Sequence, residues 1–114
     1  MTQLEKKFSD IEHCPVRHLL AHITSKWAIL LLLILNEAGT LRYSELQRMV
    51  PDISPKVLSS TLKTLAAYDL VRRTIYATVP PKVEYTITDE GRVPAAILAD
   101  LTRWARSHRE AGGV

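Results

Sequence analysis

Five polar side chains share one side of a helical repeat between residues 56 and 64: Lys56, Ser59, Ser60, Lys63 and Thr64. Two are flexible cations and three are short hydroxyls, with no carboxylate among them. Cations attract phosphate, and hydroxyls bond to phosphate or to base edges, so such a face suits a polyanion. The plain alternative is a solvated helix face, but those normally mix charge signs. A second set lies near the start, where Cys14, His18 and His22 follow one another at spacings of four. Cysteine and histidine at i and i+4 can bind zinc. Three ligands strung along one straight helix do not converge on a single ion, so two at most would serve, and no metal or other cofactor is expected. Cys14 paired with His13 or His18 as nucleophile and base has no oxyanion donor, second carboxylate or glycine-rich loop to work with. The chain is therefore not read as an enzyme.

The polar face needs a helix to carry it. Ser54 is a suitable N-cap, and Pro55 falls at the first helical position, where its missing N–H costs nothing. Val57, Leu58, Leu62, Leu65 and Ala66 then form the opposite, apolar face. Upstream, Tyr43 to Val50 places Leu46, Met49 and Val50 on one side and Glu45 and Arg48 on the other, and Pro51 stops it. Two helices joined by a tight turn have helix-turn-helix spacing. Downstream, Leu70 to Tyr76 and Lys82 to Thr88 are rich in β-branched and aromatic residues and read as a hairpin around Ala77 to Pro81. Its cations Arg72, Arg73 and Lys82 are expected at the base. A helix followed by such a hairpin is the layout of a winged helix, in which the helix enters the major groove and the hairpin reaches backbone or minor groove.

The 114 residues suffice for one domain, and 46% hydrophobic against 24% charged residues indicate a globular chain. The net charge is only +3, but its location is informative: residues 41–87 hold seven basic and four acidic side chains, and the remainder balances to zero. The excess thus coincides with the helix and hairpin. The single cysteine excludes an internal disulfide and fits a reducing compartment. No signal peptide is visible, and the apolar run from Trp27 to Leu35 is far short of the ~20 residues that span a bilayer. That run reads as a core helix buried nearly all round, capped by Thr24 or Ser25 and ended by Gly39. Thr40 to Arg42 reads as a short strand. Before the core helix, Leu4, Phe8 and Ile11 can share a helical face, and Cys14-Pro15 starts a helix with Val16, Leu19, Leu20 and Ile23 as its apolar stripe. After the hairpin, Thr88 caps a last helix in which Val93, Ile97, Leu101 and Trp104 recur every three to four residues. Nothing in one small domain needs that whole stripe. Pro94 would start the regular helix near Val93 or kink it there. The fold class is mainly α with a small β-hairpin (α+β), one winged helix-turn-helix domain. Its helix-turn-helix spans about 43–68, the wing about 70–88, and outer helices about 3–23 and 92–108.

The sequence resembles the HxlR-type winged-helix transcriptional regulators, relatives of the MarR group. The resemblance rests on Cys14-Pro15-Val16, on Lys26-Trp27 opening the apolar helix, on Arg42-Tyr43-Ser44-Glu45-Leu46 and on Ile53-Ser54-Pro55-Lys56-Val57-Leu58. Val79-Pro80-Pro81-Lys82-Val83-Glu84-Tyr85 leading to Thr88 adds the wing and its exit. It implies a homodimeric, cytoplasmic bacterial regulator that binds double-stranded DNA, with the N- and C-terminal helices building the dimer. Some members sense electrophiles or oxidants through a cysteine at the place of Cys14. Three departures stand out: Thr24-Ser25 where two glycines are usual, Asp69 where a glycine is usual, and Pro94. Asp tolerates positive φ, so the turn at Asp69 can survive.

The expected DNA contacts are Arg42, Tyr43, Ser54, Lys56, Ser59, Ser60, Lys63, Arg72, Arg73 and Lys82. Ser59, Ser60 and Lys63 are assigned to the major groove and Lys56 to phosphate. Strand alternation points Arg72 and Arg73 to opposite sides, so one of them faces away. The dimer interface is expected at Leu19, Leu20, Ile23, Ile97, Leu101 and Trp104. Cys14 is the candidate redox sensor, with an electrophile, oxidant or small thiol as its partner, and no membrane partner is expected. A thiolate at a helix N-terminus with Arg17 one turn along has a lowered pKa, although Glu12 opposes this. The alternatives are a winged-helix module that binds protein, and a ligand- or metal-responsive regulator without redox sensing.

Overall fold

The computed structural model describes residues 25–108 together with Ala21. Helix α1 (Lys26–Ala38) begins at Ser25, whose hydroxyl accepts a hydrogen bond from the Ala28 N–H at 3.1 Å. It ends at Gly39, whose φ of +81° is open to glycine at little cost and whose N–H donates to Leu35 O. Ala28, Leu31, Leu32 and Leu35 are buried. Leu30, however, is 38% exposed, and Ile29, Leu33 and Ile34 are half-buried, so the all-round burial expected of this run is not reached.

A short strand β1 (Thr40–Arg42) leads into α2 (Tyr43–Met49), which buries Leu46, with Val50 buried just beyond. Met49, grouped with them by spacing, is exposed. The backbone N–H of Arg42 donates to Glu45 Oε1 at 2.9 Å, and an acidic residue in the first turn also suits the helix dipole. Helix α3 (Pro55–Ala67) has the expected start: Ser54 Oγ accepts from the Val57 N–H at 3.2 Å and Pro55 opens the helix. Leu58, Leu62 and Leu65 are fully buried and form the heart of the core with α1. Asp69 takes φ +60° in the turn that follows, as the sequence allows.

The wing is β2 (Val71–Tyr76) and β3 (Lys82–Ile87), antiparallel, with Val71 opposite Ile87 and Tyr76 opposite Lys82. Strand β1 pairs with β3 on its other edge, Thr40 to Thr86 and Arg42 to Glu84, giving the order β1-β3-β2. Val71, Tyr85 and Ile87 face the core, so the sheet contributes one side to it. The register also corrects the placement of Lys82. The chain reverses directly after Tyr76, so the first residue of β3 lies at the far end of the ladder, while Arg72 and Arg73 are at the base.

Helix α4 (Asp89–Ser107) begins at Thr88, whose Oγ1 accepts from the Gly91 N–H at 2.9 Å. The helix starts at Asp89, earlier than Val93, and runs through Pro94. A favourable cap and two carboxylates, Asp89 and Glu90, in the first turn outweigh the one backbone hydrogen bond that proline removes. Arg92 Nη1 donates to both O and Oδ1 of Asn36 at 3.3 Å, tying α4 to α1. No helix among the described residues is long and apolar enough to cross a membrane.

Candidate nucleic-acid interface

An open groove of about 1080 Å³ runs between α3 and the wing. Arg42, Tyr43, Ser59, Lys63, Arg73 and Lys82 are among its lining residues, and no acidic residue is. The floor is apolar, made by Leu62, Ala66 and Val83. The elements explain this composition. The apolar stripe of α3 turns inward, so Ser59 and Lys63 sit on its outer side, both exposed. Tyr43 begins α2 at the end of β1 and reaches across the motif. Its hydroxyl donates to Pro55 O at 3.3 Å and lies 3.0 Å from Ser59 Oγ.

The register decides between the two wing arginines. Arg73 is opposite Tyr85, which is opposite Leu41, so it belongs to the sheet face that looks toward α3 and lines the groove. Arg72 is opposite Thr86 on the other face and does not line it. Lys82 lines the groove in part, but its ammonium is drawn to the outer face. It lies 3.5 Å from Glu84 Oε2 and 4.8 Å from the Tyr76 ring centroid. Glu84 also accepts a hydrogen bond from the Tyr76 hydroxyl, and that bond and the nearby negative charge hold the phenol above its usual pKa.

On the exposed side of α3, Ser60 Oγ donates to Val57 O at 3.1 Å and Thr64 Oγ1 to Ser60 O at 3.0 Å. Lys56 and Lys63 are exposed, and neither forms an ion pair among the described residues. Ser54 is occupied as the cap of α3. Three hydroxyl-bearing residues that line the groove escaped the sequence reading, Ser44, Thr78 and the largely buried Tyr85. Ser44 follows Tyr43 directly and could have been found from that adjacency. Thr78, whose Oγ1 donates to Pro80 O at 2.7 Å, had no such signal.

Of the residues expected at a dimer interface, Ile97, Leu101 and Trp104 are 64%, 57% and 59% exposed, with Val93 beside them at 62%. Cys14, Leu19, Leu20 and Ile23 lie outside the described residues, as do His18, His22 and, Ala21 apart, the helices expected before residue 24. Among the described residues no cluster of three or more His, Cys, Asp or Glu side chains is placed to hold a metal ion.

The comparison with known proteins agrees with this geometry. The HxlR-like helix-turn-helix family matches residues 22–112. The chain belongs to that family. YtfH of Escherichia coli (strain K12), an uncharacterised HTH-type transcriptional regulator, is 40% identical over 102 residues, covering 90% of this chain and 80% of YtfH. The structure of the ytfH regulator from Salmonella typhimurium matches with a TM-score of 0.78 at 36% identity, over 88% of both chains. The redox regulator HypR in its oxidised form matches with a TM-score of 0.74 at 36% identity, over 82% of this chain and 96% of HypR. The fold is that of a winged-helix regulator, mainly α with a small sheet, and the protein is a DNA-binding helix-turn-helix transcriptional regulator of this MarR-like group.

Proposed function

We propose that the protein is a homodimer that binds a palindromic operator in double-stranded DNA, with α3 in the major groove and the wing on the flanking backbone. The observation that carries this reading is the groove beside α3, lined by Arg42, Lys63 and Arg73 and by no carboxylate. The exposed stripe of α4 supports the dimer, because obligate interfaces are apolar like a core cut in half. A two-fold dimer implies two half-sites, with recognition helices about 34–36 Å apart. Lys63 is assigned to base readout and Arg73 to phosphate. Arg72 is moved from the primary contacts to the outer face of the wing.

Gel shifts on operator and random DNA at two salt concentrations test this. Lys63→Ala weakens operator binding more than random-DNA binding. Arg73→Ala weakens both alike and reduces the log–log salt slope by about one unit. Equal losses on both DNAs for Lys63→Ala would remove it from base readout. Salt-insensitive binding would favour a protein-binding module.

The regulation we propose acts through Cys14. HypR, named as a redox regulator, and YodB, seen both reduced and diamide-treated, are among the similar structures and support thiol control. With no second cysteine in this sequence, oxidation of Cys14 ends in a bond to a partner subunit, a bond to a small thiol or a sulfenic acid. Any of these would alter the helix expected to start at Cys14-Pro15 and, through the dimer, the separation of the recognition helices. Diamide is expected to abolish operator binding by the wild type and leave Cys14→Ser unaffected. An equal response of the two proteins, or full affinity with Cys14 shown modified by mass spectrometry, overturns the switch.

A further inference from the structure

The hydroxyls on the outer side of α3 are not interchangeable donors and acceptors. Each has one proton, and the structure places an acceptor for it inside the protein. Ser60 Oγ donates to Val57 O and Thr64 Oγ1 to Ser60 O. Ser59 is the less obvious case. Its partner is the Tyr43 hydroxyl, 3.0 Å away, and between two hydroxyls either could donate. Tyr43 also lies 3.3 Å from Pro55 O, however, and a carbonyl can only accept. With the single phenolic proton assigned to Pro55, the proton between Tyr43 and Ser59 comes from Ser59. What Ser59 presents to the groove is then a pair of lone pairs.

We propose that Tyr43 fixes the polarity of Ser59, so that Ser59 acts as a hydrogen-bond acceptor and selects an amino base, adenine or cytosine, over a keto base, guanine or thymine, at the position it faces. This rests on the reading of α3 as the element in the major groove. The chemistry of the base edges makes the distinction sharp. Adenine N6 and cytosine N4 are donors at the groove edge, whereas guanine O6 and thymine O4 are acceptors. Two acceptors face to face repel, and a serine free to rotate would tolerate all four bases. The donor assigned to bases on this face is Lys63, so keto bases are read by its ammonium group and amino bases by the locked serine. Tyr43 is a positioning residue here: it touches Ser59 and need not touch a base.

The test is selection of binding sites from a randomised duplex library, followed by sequencing, with wild type, Ser59→Ala and Tyr43→Phe. The wild type is expected to show one position per half-site where amino bases are favoured over keto bases by roughly three- to tenfold, the worth of a single neutral hydrogen bond. Ser59→Ala loses the preference at that position only. Tyr43→Phe returns the proton to Ser59 and makes the same position tolerant of guanine or thymine, with the other positions unchanged. A loss of affinity by Tyr43→Phe spread evenly over all positions would make Tyr43 merely structural and overturn the proposal. So would a preference that survives in that variant, or keto bases at the Ser59-dependent position. A wild type that selects no motif overturns the DNA reading itself. Should Tyr43→Phe fail to fold, the amino group is deleted instead, with purine in place of adenine or 2-pyrimidinone in place of cytosine. Wild type then loses a similar factor and Ser59→Ala loses nothing; equal losses overturn the proposal.

Discussion

Leu101→Glu is expected to turn the protein into a monomer at micromolar concentration, with far-UV circular dichroism close to that of the wild type. On α4 only Gly91 and Ala95 are buried among the described residues, whereas Val93, Ile97, Leu101 and Trp104 form an apolar stripe more than half exposed. Burying each such side chain contributes about 1.5–3 kcal/mol, and a two-fold interface uses each position twice. A glutamate in that stripe loses the apolar contact and forces an unpaired charge out of water, again twice. Because Leu101 is 57% exposed in the single chain, the substitution leaves the core intact. Operator affinity falls about a hundredfold or more, since the second half-site no longer benefits from being tethered to the first. Sedimentation equilibrium and a gel shift check both outcomes, and a variant that remains a dimer would place the interface elsewhere.

Gly91→Ala is expected to destabilise the fold itself, by about 3 kcal/mol, the upper end of ordinary overpacking. A Cβ on Gly91 would overlap the Leu70 carbonyl oxygen, and it would lie 2.9 Å from the Leu70 carbonyl carbon and 3.1 Å from Ile87 Cγ1. Leu70 cannot retreat: its side chain is buried and its carbonyl accepts from the Thr88 N–H at 3.1 Å. Thr88 Oγ1 also donates to Asp69 O, so the end of α3, the root of the wing and the start of α4 meet at one crowded point. The melting midpoint is expected to fall by more than about 10 °C, as read by calorimetry. The same substitution at Gly39 provides the contrast. Nothing lies within 4 Å of a Cβ there, and the cost is the backbone strain of a non-glycine residue at φ +81° and ψ −64°, about 1–3 kcal/mol.

The sequence was most legible where structure is decided locally. Ser54 and Thr88 are caps because a short hydroxyl precedes an amphipathic run, and Ser25 was one of two candidates beside Thr24; each of the three accepts a first-turn N–H. A positive φ at Asp69 was legible through the resemblance, which usually has a glycine there, together with the tolerance of Asp for such a φ. What required the third dimension was misjudged or left open. Proline rules alone suggested a break near Val93, but they do not weigh the Thr88 cap or the close approach of Gly91 to Leu70. Alternation showed that one of Arg72 and Arg73 faces away, yet only the pairing of Arg73 with Tyr85 identifies it. The ammonium of Lys82 is held by Glu84, two residues on along the same strand, and this pairing was missed because the residue type alone suggested phosphate. The thiol chemistry and the N-terminal helix expected from the sequence concern residues outside those described.

The brevity of β1 has a mechanical consequence. It braces β3 only from Glu84 to Thr86, while the β2–β3 ladder continues outward to Tyr76 and Lys82. The wing is therefore a cantilever: three strands thick and built into the core at its root, two strands thick toward its tip. A two-stranded ribbon is marginal by itself and twists more readily than a wider sheet. What stiffens this overhang is a small outer brace, with Lys82 bridging Glu84 and the Tyr76 ring. Bending is concentrated beyond Glu84, away from α3, so the tip can follow a surface of varying contour while the helix beside it keeps its aim.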